Sequence, residues 1–162
     1  MSRPNFQQEN VLELMQAHAS SLHDTSQILD AKAQQNINVS SIILALVSIF
    51  NIDNINSETL QNTNEYYLFL LILVIYIFIF VLSYVVKSPK LFATHPMDPT
   101  WDKVWNEWLE LDFDEYYKKL IASYIDIIED NTKIVAQKGR LVEFATILVG
   151  LDIVLVVLLI VS

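Results

Sequence analysis

The residue with the clearest chemical potential is Asp152, which interrupts an otherwise apolar run over residues 144–161. An ionisable side chain inside a membrane is costly unless it is paired, hydrated or protonated. Copies of Asp152 from several subunits could line an aqueous path, or the carboxyl group could pair with Ser or Asn of another helix. The alternative is a position near the outer leaflet, where Asp152 reaches water.

A second set of polar side chains lies within the first apolar segment of the chain. Its members are Asn36, Asn38, Ser40, Ser41 and Ser48. Interhelical hydrogen bonds are the ordinary reason for amides and hydroxyls in a membrane helix, and the lining of a polar pore is the alternative. The first four of these residues, together with Asp152, form the predicted intramembrane polar site.

Four basic residues could bind an anionic ligand: Lys32, Lys133, Lys138 and Arg140. Lys32 follows Asp30 by two residues, so it could form an ion pair at the membrane boundary or contact a phosphate. The other three could add positive charge to the same ligand site, although Lys and Arg also flank the cytoplasmic ends of membrane helices as a rule. Ligand binding and simple flanking therefore stay open for these residues.

Three tryptophans share one face of a predicted short helix. Trp101, Trp105 and Trp108 recur at intervals of four and three residues, after Pro99 and with Thr100 as the expected N-cap. Indole rings are favoured at the membrane–water interface, which is the first interpretation of this face. An aromatic platform for the base of a ligand is the alternative.

The residue types that catalysis and metal binding need are scarce. There is no Cys, and His18, His23 and His95 lack the spacing of a helical metal site. Acidic residues gather between 107 and 115, but no nucleophile, base or Gly-rich phosphate loop accompanies them. A net charge of −9 also disfavours a nucleic-acid groove. The sequence therefore predicts a protein that is not an enzyme, needs no metal or cofactor and binds no nucleic acid.

Helices must position these residues, because 53% of the 162 residues are apolar and only 2 Gly and 4 Pro are present. Residues 66–86 form an apolar and aromatic run, close to the ~20 residues that cross a bilayer. Residues 144–161 form a second apolar run, interrupted by Gly150 and Asp152. The apolar run at 39–50 reaches that length only with the polar residues before it, so a buried helix of a soluble protein is the alternative there. The polar opening of the chain predicts no signal peptide.

Orientation follows from Lys and Arg, which favour the cytoplasmic side. Residues 51–65 contain neither, whereas eight of the ten Lys and Arg lie between residues 87 and 140. The N-terminus is therefore predicted in the cytoplasm and the C-terminus outside. Within one membrane domain, 1–162, the predicted boundaries are a cytoplasmic helix at 5–35, spans at 36–52, 66–86 and 143–161, an external loop at 53–65, and a cytoplasmic loop and helices at 87–142.

Two apolar seams with alternating steps of three and four residues lead into the first and last spans. The seams are Leu12, Met15, Ala19, Leu22, Ser26, Leu29, Ala33 and Asn36, and Tyr117, Leu120, Tyr124, Ile127, Asn131, Ile134, Lys138, Leu141 and Ala145. Such stripes bury against each other or against further copies of the chain. We therefore expect an all-α integral membrane protein with three transmembrane helices, a cytoplasmic coiled-coil-like layer, and a dimeric or tetrameric assembly.

Two segments resemble the Pycsar transmembrane effector family. The stretch Asp30-Ala31-Lys32-Ala33-Gln34, followed by Ser40-Ser41-Ile42-Ile43-Leu44, looks like the entry into the first membrane helix of that family. A second span ending in Ser88-Pro89, and a helix with Asn131 and Lys138 leading into a last span, are also similar. The resemblance covers about residues 10–160. Members are bacterial antiphage effectors, thought to respond to a cyclic pyrimidine mononucleotide and to impair the inner membrane.

The resemblance implies an oligomeric effector in the bacterial inner membrane that senses a cytoplasmic signal, with a cyclic pyrimidine mononucleotide as the expected ligand. The alternative from a different class is a structural or accessory subunit that anchors a larger complex. Asp152 separates the two hypotheses, because an inert anchor has little reason to keep a carboxyl group inside lipid.

Overall fold

A computed structural model describes residues 6–55, 63–88 and 112–161, and these residues form three long helices. Helix α1 is Phe6–Ile55, α2 is Thr63–Lys87 and α3 is Phe113–Val161. The described residues contain no strand. The all-α class predicted from the sequence is therefore confirmed.

Helix α1 runs unbroken through its polar and apolar segments because it contains neither Gly nor Pro. It ends at Ile55, so the first residues of the loop predicted at 53–65 are helical. Hydroxyl side chains within α1 bond to the backbone one turn earlier: Ser41 Oγ donates to the carbonyl of Ile37 at 2.8 Å, and Ser48 Oγ to that of Leu44 at 2.8 Å. These bonds satisfy hydroxyl groups that apolar surroundings would otherwise leave unpaired.

Helix α2 begins at Thr63 and ends at Lys87, two residues before Pro89. The N–H of Ser88 donates to the carbonyl of Tyr84 at 2.9 Å, and its Oγ donates to that of Val85 at 2.7 Å. Pro89 disfavours helical geometry at the residue before it, so the chain leaves the helix here. The end of the second span was predicted at residue 86, one residue before the end of α2.

Helix α3 continues through both glycines of the chain, Gly139 and Gly150. A glycine in a helix interior weakens it by only about 0.5–1 kcal/mol relative to Ala, which a helix of 49 residues with packed faces tolerates. Asp114 and Glu115 lie in its first turn, where carboxylates stabilise the positive end of the helix dipole.

The chain divides into two compact units. The polar unit comprises Met1–Gln27 and Lys90–Gln137, and the apolar unit comprises Ile28–Pro89 and Lys138–Ser162. In the described part of the polar unit, the buried side chains are Ala19, Ser26, Tyr124 and Asn131. All four belong to the two predicted seams, and every other seam residue is either buried or half-buried. The periodicity therefore identified the inward faces of α1 and α3.

The core of the apolar unit consists of three clusters; the first and third join all three helices, and the second joins α2 to α3. The first contains Ala33, Val86 and Val142; the second contains Ile75, Ile79 and Val149; and the third contains Ile43, Val47, Ile72 and Val156. Their order along each helix is consistent with α1 and α3 running in one direction and α2 in the other. This arrangement positions the polar residues that lie between the clusters.

Two helices are long and apolar enough to cross a membrane: α2 over Tyr66–Lys87, and α3 within Asp114–Val161. Within the residues that the structure describes, α1 does not meet the same criterion of length and composition. Two of the three predicted spans therefore have the composition expected, and the span at 36–52 stays a prediction.

Candidate functional site

Asp152 is enclosed within the apolar unit. It is only 1% exposed, and neither of its carboxyl oxygens has a hydrogen-bond partner among the described residues. The carboxyl group thus faces the interior of its own chain. The sequence left three positions open for Asp152: in an aqueous path between subunits, paired with Ser or Asn of another helix, or in contact with water near the outer leaflet. Within the described chain the carboxyl group is buried and has no such Ser or Asn partner.

The surroundings of Asp152 are apolar along its own helix. Val149 and Val156 lie one turn to either side on the same face of α3, and each belongs to a core cluster with residues of α2. A buried carboxyl group without partners is far costlier than a hydrogen-bonded one. Its position in the middle of a packed face makes Asp152 the candidate functional residue of the apolar unit.

Asn36 forms a polar contact between α1 and α3. Its side-chain nitrogen donates to Thr146 Oγ1 at 3.1 Å, and Thr146 Oγ1 in turn donates to the carbonyl of Val142 at 2.8 Å. This is the interhelical hydrogen bond that the sequence predicted for Asn36. The contact fixes the register of α1 against α3 within the apolar unit.

Two buried hydroxyl groups lie near this level of the unit. Ser40 on α1 and Ser83 on α2 are fully buried, and the Oγ of each has no hydrogen-bond partner in the described chain. Ser40 was among the predicted site residues, whereas Ser83 was missed. The signal for Ser83 was present in the sequence, because it is the one residue of 66–86 that is neither apolar nor aromatic.

Asn38 and Ser41 do not belong to this interior set. Both are exposed; Asn38 Oδ1 accepts a bond from Gln34 Nε2 at 2.9 Å, and Ser41 Oγ lies 3.4 Å from the Tyr76 hydroxyl. The five predicted intramembrane residues therefore separate into three interior ones and these two outer ones. Helical periodicity explains the separation, since positions 38 and 41 fall on a different face from positions 36 and 40.

Lys138 forms an interhelical ion pair with Asp30. Its Nζ lies 2.7 and 3.0 Å from the two carboxyl oxygens of Asp30, and the Lys138 side chain is 5% exposed against 37% for Asp30. The sequence interpretation placed Lys32 beside Asp30, but Lys32 is exposed and the structure pairs Asp30 with Lys138 instead. Residues two apart on a helix point to different faces, so Lys32 is poorly placed for that role.

The remaining predicted cations are exposed. Lys133, in the polar unit, forms ion pairs on its own helix with Glu129 at 2.8 Å and with Asp130 at 3.4 Å. The hydrogen bond to Glu129, followed by that to Asp130, raises the pKa of Lys133 above its ordinary value of 10.5. Arg140, in the apolar unit, is also exposed. Both stay open as contacts for an anion.

Trp101, Trp105 and Trp108 lie outside the described residues, as does the rest of 89–111 in the predicted cytoplasmic region. Within the described ranges, no group of three His, Cys, Asp or Glu is arranged to hold a metal ion. Between its apolar clusters, the described interior of the apolar unit holds a column of buried polar groups, which are Lys138, Asn36, Ser83, Ser40 and Asp152. Such a column can exchange protons and hydrogen bonds, which is chemistry that a membrane path uses.

Comparisons with protein-family models, with curated proteins and with solved structures found no match for this chain. Its function is therefore inferred from the geometry of its own residues.

Proposed function

We propose that this chain is an integral membrane protein with three spans, the first of them within α1. The apolar stretches of α2 and α3 are only 28% and 22% buried inside the chain, far less than the core helices of a soluble protein. α1 carries a similar outward face of Val39, Ile42, Leu46 and Ile49, all exposed. Lipid covers all three faces most simply, because water would leave a large apolar surface unprotected.

In the proposed membrane region, charged and amide side chains lie at one end and tyrosines lie at the other. Lys87 donates to Gln34 Oε1, and Lys138 binds Asp30, at the same end of the apolar unit. Tyr66 and Tyr67, which are exposed and in edge-to-face contact, stand at the opposite end of α2. Positions 66 and 86 are ~30 Å apart along a helix, the thickness of the hydrocarbon core. The bias of Lys and Arg supports a cytoplasmic position for the cation-bearing end, and the membrane that we propose is a bacterial inner membrane.

Single cysteines in this Cys-free chain test the topology. In the three-span arrangement, a membrane-impermeant maleimide applied to intact cells labels Ser57→Cys but labels Ser20→Cys and Ala122→Cys only after permeabilisation. If α1 does not cross the membrane, Ser20→Cys and Ser57→Cys are labelled together. Labelling of Ala122→Cys in intact cells would instead reverse the whole orientation.

The function we propose is that of an oligomeric membrane effector that responds to a cytoplasmic signal by permeabilising the membrane. The observation that carries it is Asp152, a buried carboxyl group without a partner in the apolar unit. The unbroken helices α1 and α3, each with residues in both units, offer a route by which a signal could reach the spans. The resemblance to Pycsar effectors adds a cyclic pyrimidine mononucleotide as ligand and antiphage defence as the setting.

A dimer or tetramer is part of this proposal. The exposed apolar faces of the spans offer surfaces for contacts between copies. The same exposed faces favour the second candidate, an accessory subunit whose spans are covered by a partner's helices. Neither candidate requires catalysis, and we propose that the chain is not an enzyme.

Leakage from liposomes tests the effector. Vesicles with the wild-type chain are compared with Asp152→Ala and with Asp126→Ala, a control that removes an exposed carboxyl group of the same helix. Each is measured with and without cyclic mononucleotides, including the pyrimidine ones. Nucleotide-dependent leakage that Asp152→Ala alone abolishes supports the effector. If no condition causes leakage and a stoichiometric partner protein is found on purification, the accessory subunit is favoured.

A further inference from the structure

The polar residues of the apolar unit follow one another in a definite order. The Asp30–Lys138 pair comes first, and the bond from Asn36 to Thr146 lies about two turns further along α1 and α3. Ser83 lies on α2 between Val86 and Ile79, which belong to the first and second core clusters. The interior thus alternates apolar layers with polar groups, starting from the end that carries the cations.

This column ends at Asp152. Ser40 lies on α1 one turn beyond Asn36, and Asp152 lies on α3 two turns beyond Thr146. From Lys138 to Asp152 the helix rises ~21 Å, about two thirds of a ~30 Å hydrocarbon core. Three consecutive members, Ser83, Ser40 and Asp152, are at most 1% exposed and have unpartnered polar atoms among the described residues. Polar groups in this condition can accept a mobile hydrogen-bonded species.

Beyond Asp152 no further buried polar side chain interrupts the apolar core of the described residues. The third core cluster, Ile43, Val47, Ile72 and Val156, joins all three helices there, with Phe69, Leu155 and Leu159 packed against it. Apolar constrictions of this kind close a path by excluding water. We call this cluster the apolar plug.

We propose that the polar column is the longer part of a proton path through the interior of each chain, that Asp152 is its proton-binding group, and that the apolar plug is its gate. This inference rests on the proposed function and specifies it: the permeant species is the proton. A proton added to the carboxylate gives a neutral carboxylic acid, and its release restores the anion, so charge balances at each step. Carboxyl groups are usual members of proton relays in membranes, and a serine hydroxyl can both donate and accept a hydrogen bond.

The groups that face Asp152 support the choice of a proton. Residues 33–52 of α1 and 66–86 of α2 contain no Asp, Glu, Lys, Arg or His, so no fixed cation neutralises the carboxylate. The titratable groups on these stretches are four tyrosines. Tyr66, Tyr67 and Tyr84 are exposed, and Tyr76 is half-buried beside Ser41. On α3, Asp152 is the single charged residue of 144–161. Protonation is thus the available means of making this site neutral.

Opening the plug tests the proposal without any ligand. Ile72→Ser places a hydroxyl in the plug, and Ile77→Ser, an exposed site on the same helix, is the matched control. Liposomes are loaded with a pH-sensitive dye to follow protons and with calcein to follow larger solutes, and circular dichroism checks that each variant is helical. We expect Ile72→Ser to raise proton flux several-fold over wild type and over Ile77→Ser, with calcein retained.

The second variant makes the result specific to Asp152. Adding Asp152→Asn to Ile72→Ser is expected to return the proton flux to that of protein-free vesicles, while Asp152→Glu keeps it. Equal flux with and without Asp152→Asn overturns the inference, and so does release of calcein, which leaves the proposed permeabilising function standing. If no variant conducts protons, infrared difference spectra between two pH values test the proton site by itself. A carboxylic-acid band that Asp152→Asn removes supports protonation of Asp152. The absence of such a band overturns the proton site as well as the path.

Discussion

Removing Asp30 should destabilise the chain more than removing its partner Lys138. Asp30→Ala leaves the Lys138 ammonium group, 5% exposed, without the carboxylate whose two oxygens lie 2.7 and 3.0 Å away. Breaking a buried pair in this way costs 3–5 kcal/mol, and the partial exposure of Asp30 selects the lower end, about 3 kcal/mol. Lys138→Met leaves a carboxylate that is 37% exposed and can be hydrated, so about 1 kcal/mol is expected.

A double-mutant cycle measures the coupling directly. Asp30→Ala combined with Lys138→Met leaves no buried charge, so its cost should approach that of Lys138→Met alone, with a coupling of about 2–3 kcal/mol. The free energy of unfolding is measured by titrating SDS into mixed micelles and following circular dichroism. Lys133→Met is the control, because Lys133 binds Glu129 at a similar distance but is exposed. The reasoning fails if Asp30→Ala and Lys133→Met have equal effects.

Three further outcomes are expected. Asn36→Ala and Thr146→Ala should each lower the free energy of unfolding by about 0.6–1 kcal/mol in the same SDS titration. Their effects should be non-additive, since the two residues share one interhelical hydrogen bond. Additive effects would show that this bond contributes nothing to stability. Glu129→Gln should lower the pKa of Lys133 toward 10.5 in an NMR titration. Because the pKa of Lys133 is raised in the folded chain, the small stabilisation by this pair is complete below pH 10.5. It is lost as the pH rises through the pKa of the folded chain. Gly139→Ala should stabilise the chain by about 0.5–1 kcal/mol, because an added Cβ meets nothing within 4 Å in this helix; destabilisation would contradict the open space around it.

The sequence predicted the helices and their inward faces well, because both follow from local periodicity. Ala33 and Asn36 on α1, and Asn131 and Ala145 on α3, are buried as the alternation of three and four residues requires. Helix ends were less certain: α1 extends to Ile55, since the residues after position 52 contain no Gly or Pro that would stop it earlier.

The partners of polar residues could not be predicted in the same way. Asp30 pairs with Lys138, 108 positions away in the chain, and only the packing of α1 against α3 brings them together. The same packing decides that Ser40 is interior while Ser41 is not, and it makes Ser83 a neighbour of the core. Periodicity gives the face on which a side chain lies, whereas the element opposite that face is a property of the fold.

The amides and hydroxyls of α1 also have a consequence for biogenesis in the proposed three-span arrangement. Insertion by the translocon depends on apolarity, and a span that opens with Asn36, Asn38 and Ser40 is a poor substrate by itself. α2, which carries no charged residue between Tyr66 and Val86, inserts readily. α1 would then be retained in the bilayer by α2 as a helical hairpin, so that truncation before α2 would leave α1 behind in the cytosol.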